Sequence, residues 1–304
     1  MTVRKLRLSD FTALDHAGGY VKKIGENMKN WLERNYITSE NSFVFSDGDV
    51  PVGGVCFAEV APNQWNILDF ALREDLIPSG SDLLAESMRL SVLEQQQVSY
   101  DLYNDTPLYH DLQELFLRAG FLLVQEKKRY SYENTVSKQE ALHKYKDLLS
   151  FRSVTEIGED AFTNLVGTVT KGTLDSGLAQ DFAENGQKMC AFTYVELCKL
   201  IDFNPDWWKV AYAKEKPVGL ILPQNAGEDI GLINYVGVVP DMRGNGYVNA
   251  LLAEGTRILC ENGISKIFAD IDVLNFPLEQ ALETVAYQVV NEESVLEYSN
   301  EKNL

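Results

Sequence analysis

The sequence contains the same succession of short motifs twice. The segments LLAESMR (83–89) and LLAEGTR (251–257) match at five of seven positions and lie 168 residues apart. The tetrapeptides PVGG (51–54) and PVGL (217–220) lie 166 residues apart, and each precedes an apolar stretch. Matches in the same order at nearly one offset indicate a duplicated domain of about 150 residues.

The ends of the two copies also correspond. Residues 120–133 and 286–299 share a pattern that predicts a terminal hairpin in each copy. A chain of 304 residues is long enough for two domains. The sequence therefore predicts an N-terminal domain over 1–133, a polar and charged linker over 134–148, and a C-terminal domain over 149–304.

Two kinds of segment alternate within each copy. Short runs rich in apolar and β-branched residues, such as NILDFAL (66–72) and GLINYVGVV (231–239), predict strands, and longer amphipathic stretches predict helices. The predicted fold class is α/β, with two tandem domains that each contain a mixed β-sheet flanked by helices.

The chain is acidic, with a formal net charge of −18. Residues 1–148 carry 16 basic and 22 acidic side chains, and residues 149–304 carry 11 and 23, so their net charges are −6 and −12. This charge argues against a nucleic-acid partner and favours cationic ligands for the second half. No apolar run approaches the roughly 20 residues of a membrane helix, and the cysteines have no metal-type spacing. We therefore expect a cytoplasmic protein with no membrane partner and no metal.

The stretch VGVVPDMRGNGY (236–247) joins a predicted strand to a predicted helix. Gly244 and Gly246 lie at the turn, where glycine lets backbone N–H groups and the positive end of a helix dipole approach an anion. A GxG pair alone usually marks only a tight turn. A dinucleotide-binding loop would need a third glycine where the chain has Asn249, and a Walker A loop would need Gly-Lys-Ser/Thr.

The pattern V-G-V-x-P-x-x-R-G-x-G between a strand and a helix resembles the acetyl-CoA signature of the GNAT acetyltransferase superfamily. The order of predicted elements in both halves agrees with that family, and the arrangement resembles a tandem GNAT protein of the mycothiol synthase type. The resemblance implies that the C-terminal domain binds acetyl-CoA. The N-terminal domain is expected to be degenerate, because its corresponding segment LREDLIPSGSDLLAE (72–86) lacks the glycine pair.

The resemblance also assigns residues to the cosubstrate. Backbone N–H groups from Arg243 to Val248 would meet the pyrophosphate, and the strand around Val236 and Val238 would offer its backbone to the pantetheine arm. Asn275, after the next strand, matches an Asn position that often helps to hold the cofactor. The implied cofactor-binding residues are Val236, Gly237, Val238, Arg243, Gly244, Asn245, Gly246, Tyr247, Val248 and Asn275.

The proton donor of the family is missing from its usual place. Many GNAT enzymes have a Tyr seven residues after this Asn, as the general acid that protonates the coenzyme A thiolate. Here that position is Leu282. Tyr287 is the candidate substitute, although an aromatic residue at its position is more often part of the core.

The general base is open as well. A strand position that carries Glu in some relatives is Leu232, and residues 149–304 contain no histidine. The remaining candidates are the carboxylates Glu228, Asp229, Asp270 and Asp272. Each of them is more often an ordinary surface group. Asp229 and Asp272, with Tyr287, are our candidates for catalytic residues.

The resemblance implies an acetyl-CoA-dependent N-acetyltransferase that acts on a primary amine by direct transfer in a ternary complex. The missing tyrosine favours an alternative, which is a non-catalytic acyl-CoA-binding or regulatory protein. The expected partner is a small-molecule amine, and the charge of the C-terminal half favours a cationic one.

Overall fold

The computed structural model describes residues 1–16, 19–91, 93–227 and 229–298. These residues fall into two units. The N-terminal unit comprises Met1–Gln125 and the segment that begins at Glu293, and the C-terminal unit comprises Glu126–Glu292. Each unit contains six neighbouring strands, parallel and antiparallel, and its own buried core.

Strands and amphipathic helices follow one another along the chain. The strands are β1 (Thr2–Lys5), β2 (Ser42–Asp47), β3 (Val50–Ala61), β4 (Gln64–Leu72), β5 (Gln97–Tyr103), β6 (Leu122–Glu133), β7 (Ser150–Ser153), β8 (Lys209–Ala213), β9 (Lys216–Gly227), β10 (Ile230–Val238), β11 (Lys266–Asp272) and β12 (Gln288–Tyr298). The helices are α1 (Asp10–His16), α2 (Gly19–Glu33), α3 (Gly80–Leu90), α4 (Tyr109–Arg118), α5 (Val136–Leu142), α6 (Val154–Ile157), α7 (Glu159–Thr170), α8 (Ser176–Ile201), α9 (Tyr247–Glu261) and α10 (Phe276–Thr284). Helix α8 is interrupted at Gly186, whose φ of 76° and ψ of 164° are not helical.

The sheet of the N-terminal unit has the strand order β1-β2-β3-β4-β5-β12. Neighbouring strands are antiparallel except for β4 and β5, which are parallel. The core of this unit is rich in aromatic side chains. Phe116 of α4 lies at its centre, with ring centroids 4.5 Å from Tyr100 and 5.3 Å from Phe70.

The C-terminal unit has the same arrangement, with the strand order β7-β8-β9-β10-β11-β6 and with β10 and β11 as its parallel pair. Both units are therefore α/β with a mixed sheet flanked by helices, and the predicted fold class is confirmed. No helix in the described ranges is both long and apolar enough to cross a membrane.

The last strand of each sheet comes from the other copy of the repeat. Residues 127–133 of β6 pair with β11 in the C-terminal unit, and residues 293–298 of β12 pair with β5 in the N-terminal unit. Tyr130 and Tyr132 are fully buried in the C-terminal core, and Leu296 is fully buried in the N-terminal core. The two copies have therefore exchanged the strands that complete their sheets.

This exchange corrects the predicted domains 1–133 and 149–304. The predicted terminal hairpins are also wrong, because β6 and β12 are each one continuous strand without a glycine, a proline or an Asn-Gly turn. The predicted linker 134–148 forms α5 and a 3-10 turn at His143–Tyr145. It belongs to the C-terminal unit, since Leu142 packs in the core of that unit.

The parallel strand pairs of the two units stop at the same point of the repeat. Strands β4 and β5 are paired only between residues 64–66 and 97–99, and β10 and β11 only between residues 230–232 and 266–268. Each pair therefore diverges after three residues on each strand. In the C-terminal unit this divergence leads to the candidate active site.

The N-terminal unit has a filled core at the corresponding turn. A 3-10 turn at Glu74–Ser79 precedes α3, and Gly80 is so tightly packed that a Cβ there would lie 2.3 Å from Cδ1 of Leu115 and 2.8 Å from Cδ2 of Leu72. Side chains of the unit's own core thus occupy the space beside this helix start.

Leu296 offers a test of the strand exchange. Leu296→Ala removes a fully buried side chain from the N-terminal core, so we expect the free energy of unfolding to fall by about 2–5 kcal/mol. Hydrogen exchange should become faster in β2 and β3 and stay unchanged in β9. The control Val290→Ala, in the same strand but 51 % exposed, should change stability by less than about 0.5 kcal/mol. Faster hydrogen exchange in β9 alone would show that β12 belongs to the C-terminal unit and would contradict the strand exchange.

Candidate active site

A cavity of about 390 Å³ lies in the C-terminal unit between β10, β11 and the connection from α7 to α8. This volume is within the range of ligand pockets, roughly 300–1,000 Å³. Much of the lining is apolar, as at Val236, Ile271 and Leu278, and polar groups come from residues 172–175 and from residues 243, 244 and 246. The cavity thus has the composition of a small-molecule site with a few placed polar groups.

The cavity exists because β10 and β11 separate. Their pairing ends at Leu232 and Phe268, whereas β10 stays bound to β9 as far as Val238. Beyond Leu232, the edge of β10 that faces β11 has no strand partner in the described chain. Main-chain groups on such an edge can bind an extended ligand in the way that an added strand would.

A β-bulge accompanies the separation. Ile233 pairs with Pro223 and Tyr235 with Leu222, so Asn234 is the extra residue on β10. Pro223 has no N–H and cannot donate to β10 at this point. A bulge increases the local twist and redirects side chains, and here it directs two consecutive residues towards α7 and α8, as the contacts of Asn234 and Tyr235 show.

The glycine turn lies at the end of β10. Residues 240–242 form a 3-10 turn, and Gly244 and Gly246 have φ angles of 79° and 73°. Glycine is favoured at such angles, and a Cβ at either position would meet no protein atom within 4 Å. Across the described ranges, the N–H groups of residues 244–248 donate to no acceptor within the chain. Together with the N-terminus of α9 they form a set of donors suited to a phosphate group.

Arg243 supports this turn. Its Nη1 donates to the carbonyl of Gly172 at 2.8 Å, and its Nη2 donates to the carbonyls of Val169 and Lys171 at 2.9 Å. These carbonyls end α7, where a cation is favoured by the helix dipole. The backbone N–H of Arg243 donates to the carbonyl of Pro240. Arg243 therefore fixes the turn to α7 and does not offer the N–H that the sequence assigned to the pyrophosphate.

Most residues that were predicted to bind the cofactor lie at the cavity. Those that line it are Val236, Gly237, Val238, Arg243, Gly244, Gly246, Tyr247, Val248 and Asn275. Asn245 does not line it, and its side chain donates to the carbonyls of Met242 and Arg243 at 3.0 and 3.3 Å. Asn275 is the N-cap of α10, and its Oδ1 accepts from the N–H of Leu278 at 3.3 Å.

Two of the candidate carboxylates line the cavity. Asp272 is 2 % exposed, and its Oδ2 accepts the N–H of Ser176 at 2.9 Å and the Ser176 hydroxyl, while its Oδ1 accepts the N–H of Leu274 at 2.8 Å. These bonds connect the end of β11 to the start of α8. Asp270 forms a two-pronged ion pair with Arg129, at 2.8 and 2.9 Å. Both carboxylates are therefore held by partners in the protein.

The other predicted catalytic residues, Asp229 and Tyr287, do not line the cavity. Asp229 precedes β10 at the end opposite to the glycine turn, and hydrogen bonds from the hydroxyl and N–H of Ser265 lower its pKa. Tyr287 lies in the core, where burial raises its pKa and its hydroxyl shares a hydrogen bond of 2.8 Å with Thr256. Glu228 lies outside the described residues. In the described ranges, no cluster of three or more His, Cys, Asp or Glu residues could hold a metal ion.

Sequence reasoning missed several polar residues of the cavity wall, among them Asp175, Tyr194 and Tyr235. The ring centroids of the two tyrosines are 5.0 Å apart. The hydroxyl of Tyr235 hydrogen bonds to Thr170 at 2.7 Å, and that of Tyr194 donates to the carbonyl of Asn234 at 2.9 Å. Burial raises the pKa of Tyr235 to about 12. The sequence offered one signal for these residues, which is that Tyr235 directly precedes the signature. No motif marks α8, the helix that contains Tyr194.

Residues 178–284 match the model of the acetyltransferase (GNAT) family. This range contains β8 to β11, α9 and α10, and thus the diverging strands and the glycine turn. No curated protein sequence matches the chain.

Solved structures of GNAT proteins have the same fold over nearly the whole chain. A GCN5-related N-acetyltransferase from Sphaerobacter thermophilus has a TM-score of 0.60 at 14 % identity, and the match covers 100 % of this chain and 97 % of that one. A tandem GNAT protein from the clavulanic acid biosynthesis pathway has a TM-score of 0.53 at 10 % identity, with coverages of 95 % and 92 %. A GNAT-family acetyltransferase from Colwellia psychrerythraea has a TM-score of 0.52 at 12 % identity, with coverages of 98 % and 100 %. The tandem GNAT-like fold is confirmed, and the narrower likeness to the mycothiol synthase type stays a prediction.

Asp272 and Asp270 lie on one strand and give a matched pair of variants. Asp272→Asn puts an amide NH₂ where the carboxylate accepts N–H and O–H donors, so we expect the free energy of unfolding to fall by about 1–3 kcal/mol. Asp270→Asn, in a partly exposed ion pair, should cost less than about 1 kcal/mol. Urea denaturation measures both, and equal losses would contradict the structural role of Asp272.

Proposed function

The chain contains a GNAT acetyltransferase domain, and we propose that it is an acetyl-CoA-dependent N-acetyltransferase. In this proposal the acceptor is a primary amine, which receives the acetyl group directly in a ternary complex. One observation carries it. The N–H donors of residues 244 and 246–248 and the unpaired edge of β10 lie together in one cavity.

The residues of the cavity fit acetyl-CoA. The N–H groups of residues 244–248, at the positive end of α9, suit a pyrophosphate. The edge of β10 between Ile233 and Val238 suits the amides of the pantetheine arm, because extended amides bind a sheet edge by main-chain hydrogen bonds. Acetyl-CoA bound in this way supplies an activated acetyl group.

The chain's own contribution is to hold the walls of the cavity in place. Arg243 ties the glycine turn to the end of α7, and Asp272 ties the end of β11 to the start of α8. Both bonds reach across the cavity walls from side chains that line it. A wall fixed before the substrates bind lowers the cost of orienting them.

The reaction does not need a proton donor at the usual position. Leu282 lines the cavity and is fully buried, so this position supplies no proton. The thiol of an unperturbed cysteine side chain has a pKa of about 8.5, and thiols as a class are acidic enough for a thiolate to be a tolerable leaving group. The proton of the product thiol can then come from water.

The same Leu282 favours a second function, that of a non-catalytic acyl-CoA-binding or regulatory protein. Such a protein would need the glycine turn and the edge of β10 but no proton transfer. The two functions differ in a single observable, which is amine-dependent release of the coenzyme A thiol.

Gly246 and Gly263 offer matched variants at the two ends of α9. Both have left-handed backbone, with φ of 73° and 88°, and at both a Cβ would meet no atom within 4 Å. Gly246→Glu places a carboxylate among the donors of residues 244–248, so coenzyme A binding should weaken by about 100-fold through repulsion and lost charge-assisted hydrogen bonds. Gly263→Glu carries the same backbone strain and should leave the affinity within about twofold. Titration calorimetry with coenzyme A measures both, and equal losses would count against the assigned turn.

Thiol release from acetyl-CoA tests turnover. We expect wild type to release thiol when a primary amine from a mixed panel is added, with acetylated amine formed in equal amount by mass spectrometry. Tertiary amines of the same skeleton should give none, because they have no N–H to lose. Tight coenzyme A binding without any amine-dependent release would favour the non-catalytic alternative.

A further inference from the structure

The cavity has two chemically different parts. One is the set of N–H donors at the glycine turn. The other lies where α7, α8 and the bulged part of β10 meet, and we call it the acceptor wall; its residues are Asp175, Tyr194, Asn234 and Tyr235. The hydroxyl and amide hydrogens of these side chains already form hydrogen bonds within the protein.

The hydroxyl hydrogen of Tyr235 points to Thr170. The two hydroxyls are 2.7 Å apart, and Thr170 Oγ1 also lies 2.8 Å from the carbonyl of Val166. A carbonyl only accepts, so Thr170 donates to Val166 and must accept from Tyr235. Tyr235 therefore offers only lone pairs to a further ligand.

The same argument fixes Asn234 and Tyr194. Gln224 Nε2 donates to the carbonyls of Cys198 and Asp202 at 2.7 and 2.5 Å, so its Oε1 must accept from Asn234 Nδ2, at 2.5 Å. The other Asn234 N–H reaches the sulfur of Cys198 at 3.4 Å, which leaves Asn234 Oδ1 as the remaining group. Tyr194 donates to the carbonyl of Asn234 and keeps lone pairs.

Asp175 supplies the negative charge of the acceptor wall. Its Oδ1 accepts from the N–H of Leu178 as the N-cap of α8, and its Oδ2 accepts no hydrogen bond in the described ranges. Burial, chiefly, raises the pKa of Tyr194 and Tyr235, and the carboxylate of Asp175 acts on both hydroxyls in the same direction. The neighbouring Thr173 hydroxyl accepts the N–H of Asp175 and can rotate to donate or accept.

The other charged side chains on the cavity lining are occupied. In the described ranges they are Arg243, Asp270 and Asp272, and each is bound to a protein partner. Asp175 is thus the lining carboxylate with an oxygen left for a ligand. A cation that enters the cavity meets its opposite charge there.

We propose that the acceptor wall binds the acyl acceptor as a primary ammonium and that Asp175 then accepts one of its protons. This inference rests on the proposed function. An ammonium has three N–H donors and no acceptor. This complements a wall that offers one carboxylate oxygen and the lone pairs of uncharged hydroxyl and amide oxygens. The proton passes from R–NH₃⁺ to the carboxylate, which gives a neutral carboxyl group and a neutral amine whose lone pair can attack an acyl carbon.

The wall also disfavours acyl acceptors that are not ammonium ions. An alcohol brings one donor and leaves the other lone pairs of the wall without a partner. A carboxylate or phosphate meets only acceptors and a negative charge. Unpaired buried acceptors and like charges both disfavour the wrong ligand.

The test uses three probes of similar shape, benzylammonium, benzyl alcohol and benzoate, in titration calorimetry on the coenzyme A-saturated protein. We expect benzylammonium to bind most tightly. Asp175→Asn keeps an oxygen for the N–H of Leu178 but replaces the open oxygen by a donor, so benzylammonium should bind about 10- to 100-fold more weakly. Tyr235→Phe, which keeps the ring, should weaken binding by about 3- to 10-fold.

Asp181→Asn is the matched control. Asp181 lies on the same helix, accepts from Asn185 at 2.7 Å and does not line the cavity, so benzylammonium affinity should stay within about twofold. A preference for benzoate or benzyl alcohol, no measurable benzylammonium binding, or equal affinity of wild type and Asp175→Asn would overturn the proposal. Coenzyme A affinity is measured separately. If it is absent while the free protein binds benzylammonium through Asp175, the ammonium site stands and the proposed function fails.

Discussion

The candidate active site depends on the point at which β10 and β11 stop pairing. A ladder that continued beyond Leu232 would fill the space in which the cavity lies. The bulge at Asn234 turns β10 away, and Pro223 opposite has no N–H with which to restore a regular ladder. The hydroxyl of Tyr194 supplies a donor to the Asn234 carbonyl, so the irregular backbone keeps its hydrogen bond. The cavity is thus an interruption of the sheet that neighbouring side chains stabilise.

Sequence patterns predicted the fold but not the way in which the sheets are completed. The repeat and the alternation of strands and helices are local or periodic signals, and both survive in the structure. The choice of sheet for β6 and β12 is not local. Residues 122–133 form a strand whose partner depends on packing against residues far away in the sequence, which no local pattern records. Tyr130 and Leu296 find their cores in the opposite copies for that reason.

The two parts of the site also differ in how far they could be predicted from the sequence. The anion-binding turn rests on backbone groups and needs glycine at left-handed positions, so Gly244 and Gly246 were visible in the sequence. The acceptor wall rests on the directions of hydroxyl and amide hydrogens. Strict strand alternation would put Asn234 and Tyr235 on opposite faces, and the bulge that reverses this expectation has no sequence signal. Asp272 was identified as a carboxylate, but only its N–H partners show that it supports the wall.

The exchange of last strands also sets the order in which the chain can assemble as it is synthesised. Strand β5 can pair with residues 293–298 only after these have been synthesised, about 190 residues later. Synthesis of that length of chain takes about 10–40 s at ordinary rates of translation. During that time its edge is unpaired, and an unpaired edge is a template for wrong partners. The C-terminal sheet has the opposite history, because β6 leaves the ribosome before any other strand of that sheet. The exchanged strand is therefore the first strand of one sheet to be synthesised and the last strand of the other.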